Sequence, residues 1–211
     1  MDVTKLNVII PAAGAATRLQ PLSKHTSKIM VRVNGKPCFD YIWESINKSL
    51  NTSQELGEVI VVTGKFEDTQ DYINKNKNRF YNVKCVKQEE MIGPRDAIST
   101  GMQALEQPNN PVVIWLGDTI IRDTLPLGTN FLATMSVKDH SSWCMWDGVD
   151  YFNKPSYKVP DAKALVGVYS FEDGSVAKDS FVNIDGYDIS DSLDTSGVQF
   201  ADVVVSKWYD I

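Results

Sequence analysis

The chain has 211 residues, 43% of them hydrophobic and 23% charged, which is ordinary for a soluble globular protein and suits one domain, or one domain with a small lobe. A formal net charge of −6 excludes broad nucleic-acid binding, which needs a basic face to displace counterions, but not a nucleotide, which needs only a few placed cations. The cysteines Cys38, Cys85 and Cys144 and the histidines His25 and His140 have neither zinc-site spacing nor the density of a disulfide framework, which fits a reduced cytoplasmic setting.

Residues 6–10 form a short β-branched apolar run that predicts a buried strand, followed by small residues at 11–16 that predict a loop. Apolar residues near helical spacing predict a helix over 39–50. Residues 58–62 read as a second buried strand, closed by Thr63-Gly64. A polar helix over 67–78, a strand over 83–86, a helix over 94–105 with Pro94 in its first turn, and a strand over 111–116 ending at Gly117-Asp118 follow. Strands that alternate with helices indicate βαβ units, and short all-apolar strands indicate a sheet covered on both faces.

After Asp118 the pattern changes. Strands are predicted over 131–137, 143–146, 164–171 and 201–205, with one short helix over 175–181. The acidic run over 185–194 lacks the ligand spacing of a calcium loop and reads as a solvated acidic loop. The expected fold is α/β: a doubly wound, mostly parallel Rossmann-like sheet with a small extra β-rich lobe. No stretch approaches the length of a transmembrane helix, and no signal peptide is apparent.

The most informative segment lies just beyond the first strand, where ligands bind in open α/β sheets. Ala12, Ala13, Gly14 and Ala15 are small enough to let backbone N–H groups approach a phosphate or a base. Arg18 offers a planar fork for phosphate oxygens, and Lys28 offers a point charge.

The order Gly14-Ala15-Ala16-Thr17-Arg18-Leu19-Gln20-Pro21-Leu22, then Ser27-Lys28, then Asn34-Gly35-Lys36-Pro37, resembles the sugar nucleotidyltransferases. That family, the NDP-sugar pyrophosphorylase-like nucleoside triphosphate transferases, carries G-x-G-T-R-x-x-P-x-T, then P-K, then G-K-P. Ala16 replaces its second Gly, and Ser27 replaces the Pro before the Lys. The resemblance implies that Arg18 meets the triphosphate and Lys28 the phosphates at the reacting centre.

It extends further down the chain. Gln88, Gly93 and the helix start Pro94-Arg95-Asp96-Ala97 stand where the family contacts the base, although Arg95 and Asp96 depart from its pattern. Gly117-Asp118 looks like its first metal site, and Lys207-Trp208-Tyr209-Asp210 like its W-x-D, whose Asp is the second metal ligand. Asn153-Lys154-Pro155 and Gly167 resemble its E-K-P and G-x-Y-x-F acceptor elements, with Asn153 in place of the Glu that holds sugar hydroxyls.

The resemblance therefore implies one domain over 1–211, with a nucleotide-binding half to about residue 120 and an acceptor-binding half beyond it, cut from a longer protein that continues past Ile211. The implied activity joins a sugar-1-phosphate to a nucleoside triphosphate with Mg²⁺, releasing pyrophosphate. Catalytic roles fall to Arg18, Lys28 and Asp118, metal binding to Asp118 and Asp210, and acceptor binding to Lys154, Asn153 and Gly167. Two other readings stand open: a cytidylyltransferase acting on a non-sugar phosphate such as phosphocholine, and a silent nucleotide-binding regulatory domain. The base and the oligomeric state are not specified.

Overall fold

The computed structural model describes residues 3–14, 16, 19–90, 92–183 and 188–211. Its first half alternates strands and helices as the sequence pattern predicts. β1 (Thr4–Ala12) is followed by a minimal hairpin of β2 (Arg32–Val33) and β3 (Lys36–Pro37). Then come α1 (Cys38–Ser49), β4 (Gln54–Thr63), α2 (Asp68–Lys75), β5 (Val83–Lys87), α3 (Pro94–Gln103) and β6 (Val112–Trp115).

β1 pairs in parallel with β4 on one side and β6 on the other, and β4 pairs in parallel with β5. Chain order reverses between β1 and β6, so a crevice opens beyond the carboxyl ends of these two strands.

Alternation along β1 explains why the sheet is covered twice. Leu6, Val8 and Ile10 join the α1 residues Phe39, Ile42, Trp43 and Ile46 in one core. Ile9 joins Ala97, Ile98 and Met102 of α3 in the other, with Ile60 and Val62 of β4. All these side chains are buried, so each strand is apolar on both faces and reads as a continuous run. Gly101 of α3 is required by this packing, since a Cβ there would lie 2.6 Å from Ile9 Cγ2.

The second half adds β7 (Thr119–Ile121), β8 (Phe131–Met135), β9 (Cys144–Trp146), β10 (Tyr151–Asn153) and the long β11 (Lys163–Phe171), followed by β12 (Ala201–Val204) and β13 (Trp208–Asp210). β8, β9, β10 and β11 extend the same sheet through antiparallel pairs, β12 pairs in parallel with β8, and β7 and β13 form a separate two-stranded antiparallel sheet. β11 pairs with β6 over 168–171 and with β9 over 163–164, and it bends at Gly167, where φ is +87°. α4 (Gly174–Lys178) runs into a π-helical turn over Asp179–Asn183.

One expectation is corrected here. From residue 188 the acidic run is not a loop but α5 (Ile189–Thr195), started by a capping box in which Asp188 and Asp191 each accept from the other's backbone. Residues 185–187 of that run lie outside the described residues. No helix among the described residues is long and apolar enough to cross a membrane.

Candidate active site

The crevice between the ends of β1 and β6 is a cleft of about 360 Å³. Ala12, Ala13, Gly14, Gln88, Gly93, Lys28 and Asp118 are among the residues that line it. The ends of the strands approach closely because both flanking residues are glycine. A Cβ on Gly117 would lie 2.9 Å from Pro11 O, and one on Gly64 would lie 2.5 Å from Ala13 O. Nothing lies within 4 Å of the Cβ position of Gly14 or Gly93, so both leave open space on the cleft side.

Ala16 stands at φ +49°, in the left-handed region where the resembled motif carries glycine. Its carbonyl accepts from Leu19 N at 3.1 Å and Ser23 Oγ at 2.6 Å, which holds the turn in that conformation. Ala15 and Arg18 lie outside the described residues.

Lys28 opens a single 3₁₀ turn, Lys28–Met30. Its Nζ donates to Asp118 Oδ2 at 2.9 Å and lies 3.9 Å from Asp210 Oδ1. Asp118 lies in the short turn between β6 and β7. Asp210 reaches the same place because β13 pairs antiparallel with β7, setting Asp210 opposite Thr119. Asp123 fixes the approach to β13: its carboxylate accepts from Ser206 N, Ser206 Oγ and Lys207 N. Three groups distant in sequence, Lys28, Asp118 and Asp210, therefore meet at one end of the cleft. The Lys28 and Asp118 side chains are 24% and 32% exposed, so the pair is only partly screened by solvent.

Two carboxylates therefore face a single ammonium. Mg²⁺ held by one or two carboxylates, with phosphate oxygens and waters completing its shell, suits such a pair. Among the described residues no group of three or more His, Cys, Asp or Glu side chains gathers, so a closed all-protein metal cage is absent there.

Gln88, which also lines the cleft, is buried, with its N–H bonded to Thr63 O at 2.9 Å. Its amide donates to Asp96 Oδ2 at 2.5 Å. The carboxylate sets the side-chain orientation, because only the NH₂ end can donate to it. Arg95 turns away: its Nε donates to Ser192 Oγ of α5 at 2.8 Å. The two departures from the family's helix start therefore have separate tasks, Asp96 aligning Gln88 and Arg95 tying α3 to α5.

The acceptor residues expected from sequence are less tightly gathered. Asn153 donates to the Asp188 carboxylate, the N-cap of α5. Lys154 is exposed at φ +47°, and its N–H bonds to Trp143 O at 3.0 Å. Among the described residues no hydrogen bond or ion pair joins the Lys154 ammonium to Lys28, Asp118 or Asp210. Gly167 has a packing role in the structure. The Cβ position is filled by Thr119 Oγ1 at 2.6 Å and Leu116 Cδ1 at 3.0 Å, and Gly167 O accepts from Leu116 N at 2.8 Å. Gly167 therefore supports the turn that carries Asp118.

The fold and site define an α/β domain with a cation-paired acidic centre at its topological switch point. Residues 7–142 match the Nucleotidyl transferase family model, and the chain belongs to that family. It is 29% identical over 189 residues to the UTP–glucose-1-phosphate uridylyltransferase of Streptococcus pyogenes, an alignment covering 78% of this chain and 60% of that protein. The Staphylococcus epidermidis protein of the same name is 29% identical over 155 residues, covering 63% of this chain and 51% of its own length. The chain thus spans about half to three fifths of the curated relatives it matches.

Solved structures share the fold. A UDP-glucose pyrophosphorylase complexed with UDP-glucose superposes with a TM-score of 0.76 at 21% identity, covering 98% of this chain and 93% of that one. A CTP:phosphocholine cytidylyltransferase from Streptococcus pneumoniae superposes with a TM-score of 0.73 at 18% identity, over the same shares of each chain.

Proposed function

We propose that this domain catalyses attack of a sugar-1-phosphate on the α-phosphorus of a nucleoside triphosphate, forming an NDP-sugar and releasing pyrophosphate, with UTP and glucose-1-phosphate as the first pair to test. The observation that carries the reading is the meeting of Lys28, Asp118 and Asp210 at the cleft beyond β1 and β6. The uridylyltransferase relatives point to the substrate pair.

The nucleophile is a phosphate oxygen already anionic near neutral pH, so no general base is required. The barrier is the approach of two anions, and the protein's task is charge neutralisation and in-line alignment. Gly14 and the small residues before it admit the nucleotide. Gln88, aligned by Asp96, meets the base beside Gly93. Lys28 exchanges its carboxylate partner for oxygens of the α-phosphate, and Arg18 neutralises the leaving pyrophosphate. Lys154 and Asn153 serve the acceptor side. Asp118 and Asp210 would hold Mg²⁺, which when bound neutralises phosphate charge.

A pyrophosphate-release assay across the common triphosphates, each with glucose-1-phosphate or phosphocholine, tests this. The proposal predicts greatest turnover with UTP and glucose-1-phosphate. Preference for CTP with phosphocholine overturns the acceptor assignment. Nucleotide binding without pyrophosphate release from any pair makes the domain a silent binder.

A further inference from the structure

We infer that Asp68 is a positioning residue for Lys28, holding the turn that aims its ammonium into the cleft; this rests on the reaction proposed above. Asp68 is the first residue of α2, yet its carboxylate reaches across to the segment just before Lys28. Oδ2 accepts from Ser27 N at 3.0 Å and from Thr26 Oγ1 at 2.5 Å. Oδ1 accepts from Ser27 Oγ at 2.9 Å and from Thr69 N at 2.9 Å. Ser27 Oγ also lies 2.7 Å from Thr69 Oγ1, and Ser27 and Thr69 are both buried. Four donors on two oxygens use the accepting capacity of the carboxylate.

A first-turn acid that served only its own helix would face the free helical amides or solvent. Asp68 instead spends three of these four bonds on residues more than forty positions away. What it fixes is the entry to the Lys28 turn. Ser27 has φ −66° and ψ 149°, its carbonyl accepts from Met30 N at 3.0 Å, and Val31 N closes on Lys28 O at 3.1 Å. From that turn Nζ reaches Asp118 at 2.9 Å. Displacing a reacting group by about 1 Å costs on the order of a hundredfold in rate, so such a clamp is kinetically consequential.

The test is turnover of Asp68→Ala and Asp68→Asn, each made in the wild-type and the Lys28→Met background. With Lys28 present, kcat falls roughly tenfold to a hundredfold while KM for UTP stays within about twofold. With Lys28 absent, the same substitutions change kcat little. Ser27 already has the φ of proline, so Ser27→Pro in the Asp68→Ala background restores most of kcat by fixing that torsion covalently. Amide exchange over residues 26–31, measured without substrate, rises in both Asp68 variants. An equal cost of the Asp68 substitutions in both Lys28 backgrounds, or unchanged exchange over 26–31, overturns the inference. Absence of turnover in the wild type overturns the reaction reading alone, and the exchange measurement then decides whether Asp68 holds the turn.

Discussion

The Lys28 ammonium sits 2.9 Å from Asp118 and 3.9 Å from Asp210, so a side chain assigned to the substrate's phosphate neutralises the pair assigned to the metal. On the proposed assignment, the ammonium and a divalent ion compete for the same carboxylates. Replacing Lys28 with methionine removes the internal counterion while keeping much of its apolar stem. Lys28→Met is expected to bind Mn²⁺ several-fold more tightly than the wild type in the absence of nucleotide, as read by paramagnetic resonance titration. Equal affinity contradicts this competition.

Ala16 carries a stability cost that can be removed. An L-residue in the left-handed region loses about 1–2 kcal/mol, while glycine's extra unfolded-state freedom returns about 0.4–1 kcal/mol. Ala16→Gly is therefore expected to stabilise the domain by about 0.5–1 kcal/mol in urea unfolding. A destabilised Ala16→Gly protein shows that the Ala16 methyl makes contacts outweighing its torsional cost.

Asp96 acts on Gln88 without lining the cleft as a lone charge. Losing a charge-assisted hydrogen bond costs about 1.5–3 kcal/mol, and every 1.4 kcal/mol is tenfold in an equilibrium constant. Asp96→Ala is expected to raise the UTP KM roughly tenfold or more with a smaller effect on kcat, and to narrow the preference for one base over another. An unaltered base preference separates Asp96 from recognition.

The thiols set an alkaline limit. Burial pushes Cys38, Cys85 and Cys144 each up to about 11, above the ordinary thiol value near 8.5. A pKa raised by folding favours the protonated form in the native state. The contribution to stability is complete below about pH 8.5 and is lost as pH rises toward 11. Urea midpoints are expected to fall across that window, and Cys85→Ala is expected to flatten part of the decline. A decline unaffected by removing the thiol assigns it to other groups.

Much of this fold is written locally. The apolar runs that became β1, β4 and β6 alternate between two cores, and Gly14, Gly117 and Asp118 follow strand ends, so the phosphate-side architecture is legible from sequence. Several short elements were not. β7 and β13 have three residues each and pair only with one another across the chain, as Asp210 does against Thr119, and β10 exists only as the return strand of a hairpin with β9. α5 was hidden because its acidic residues look solvated, although Asp188 and Asp191 cap one another. The clamp from Asp68 to Ser27 spans more than forty residues, and no local pattern announces it. The replacement of the family's proline by Ser27 was the only trace, and its meaning required the carboxylate facing it.

The convergence of one ammonium and two carboxylates on a bound triphosphate is tested most directly by the pyrophosphate-release rate of Lys28→Met, Asp118→Asn and Asp210→Asn with UTP and glucose-1-phosphate. Each substitution is expected to lower kcat by roughly 10²–10³, about 3–4 kcal/mol, with the fold retained. Turnover within a few-fold of the wild type in Asp118→Asn and Lys28→Met contradicts the assignment.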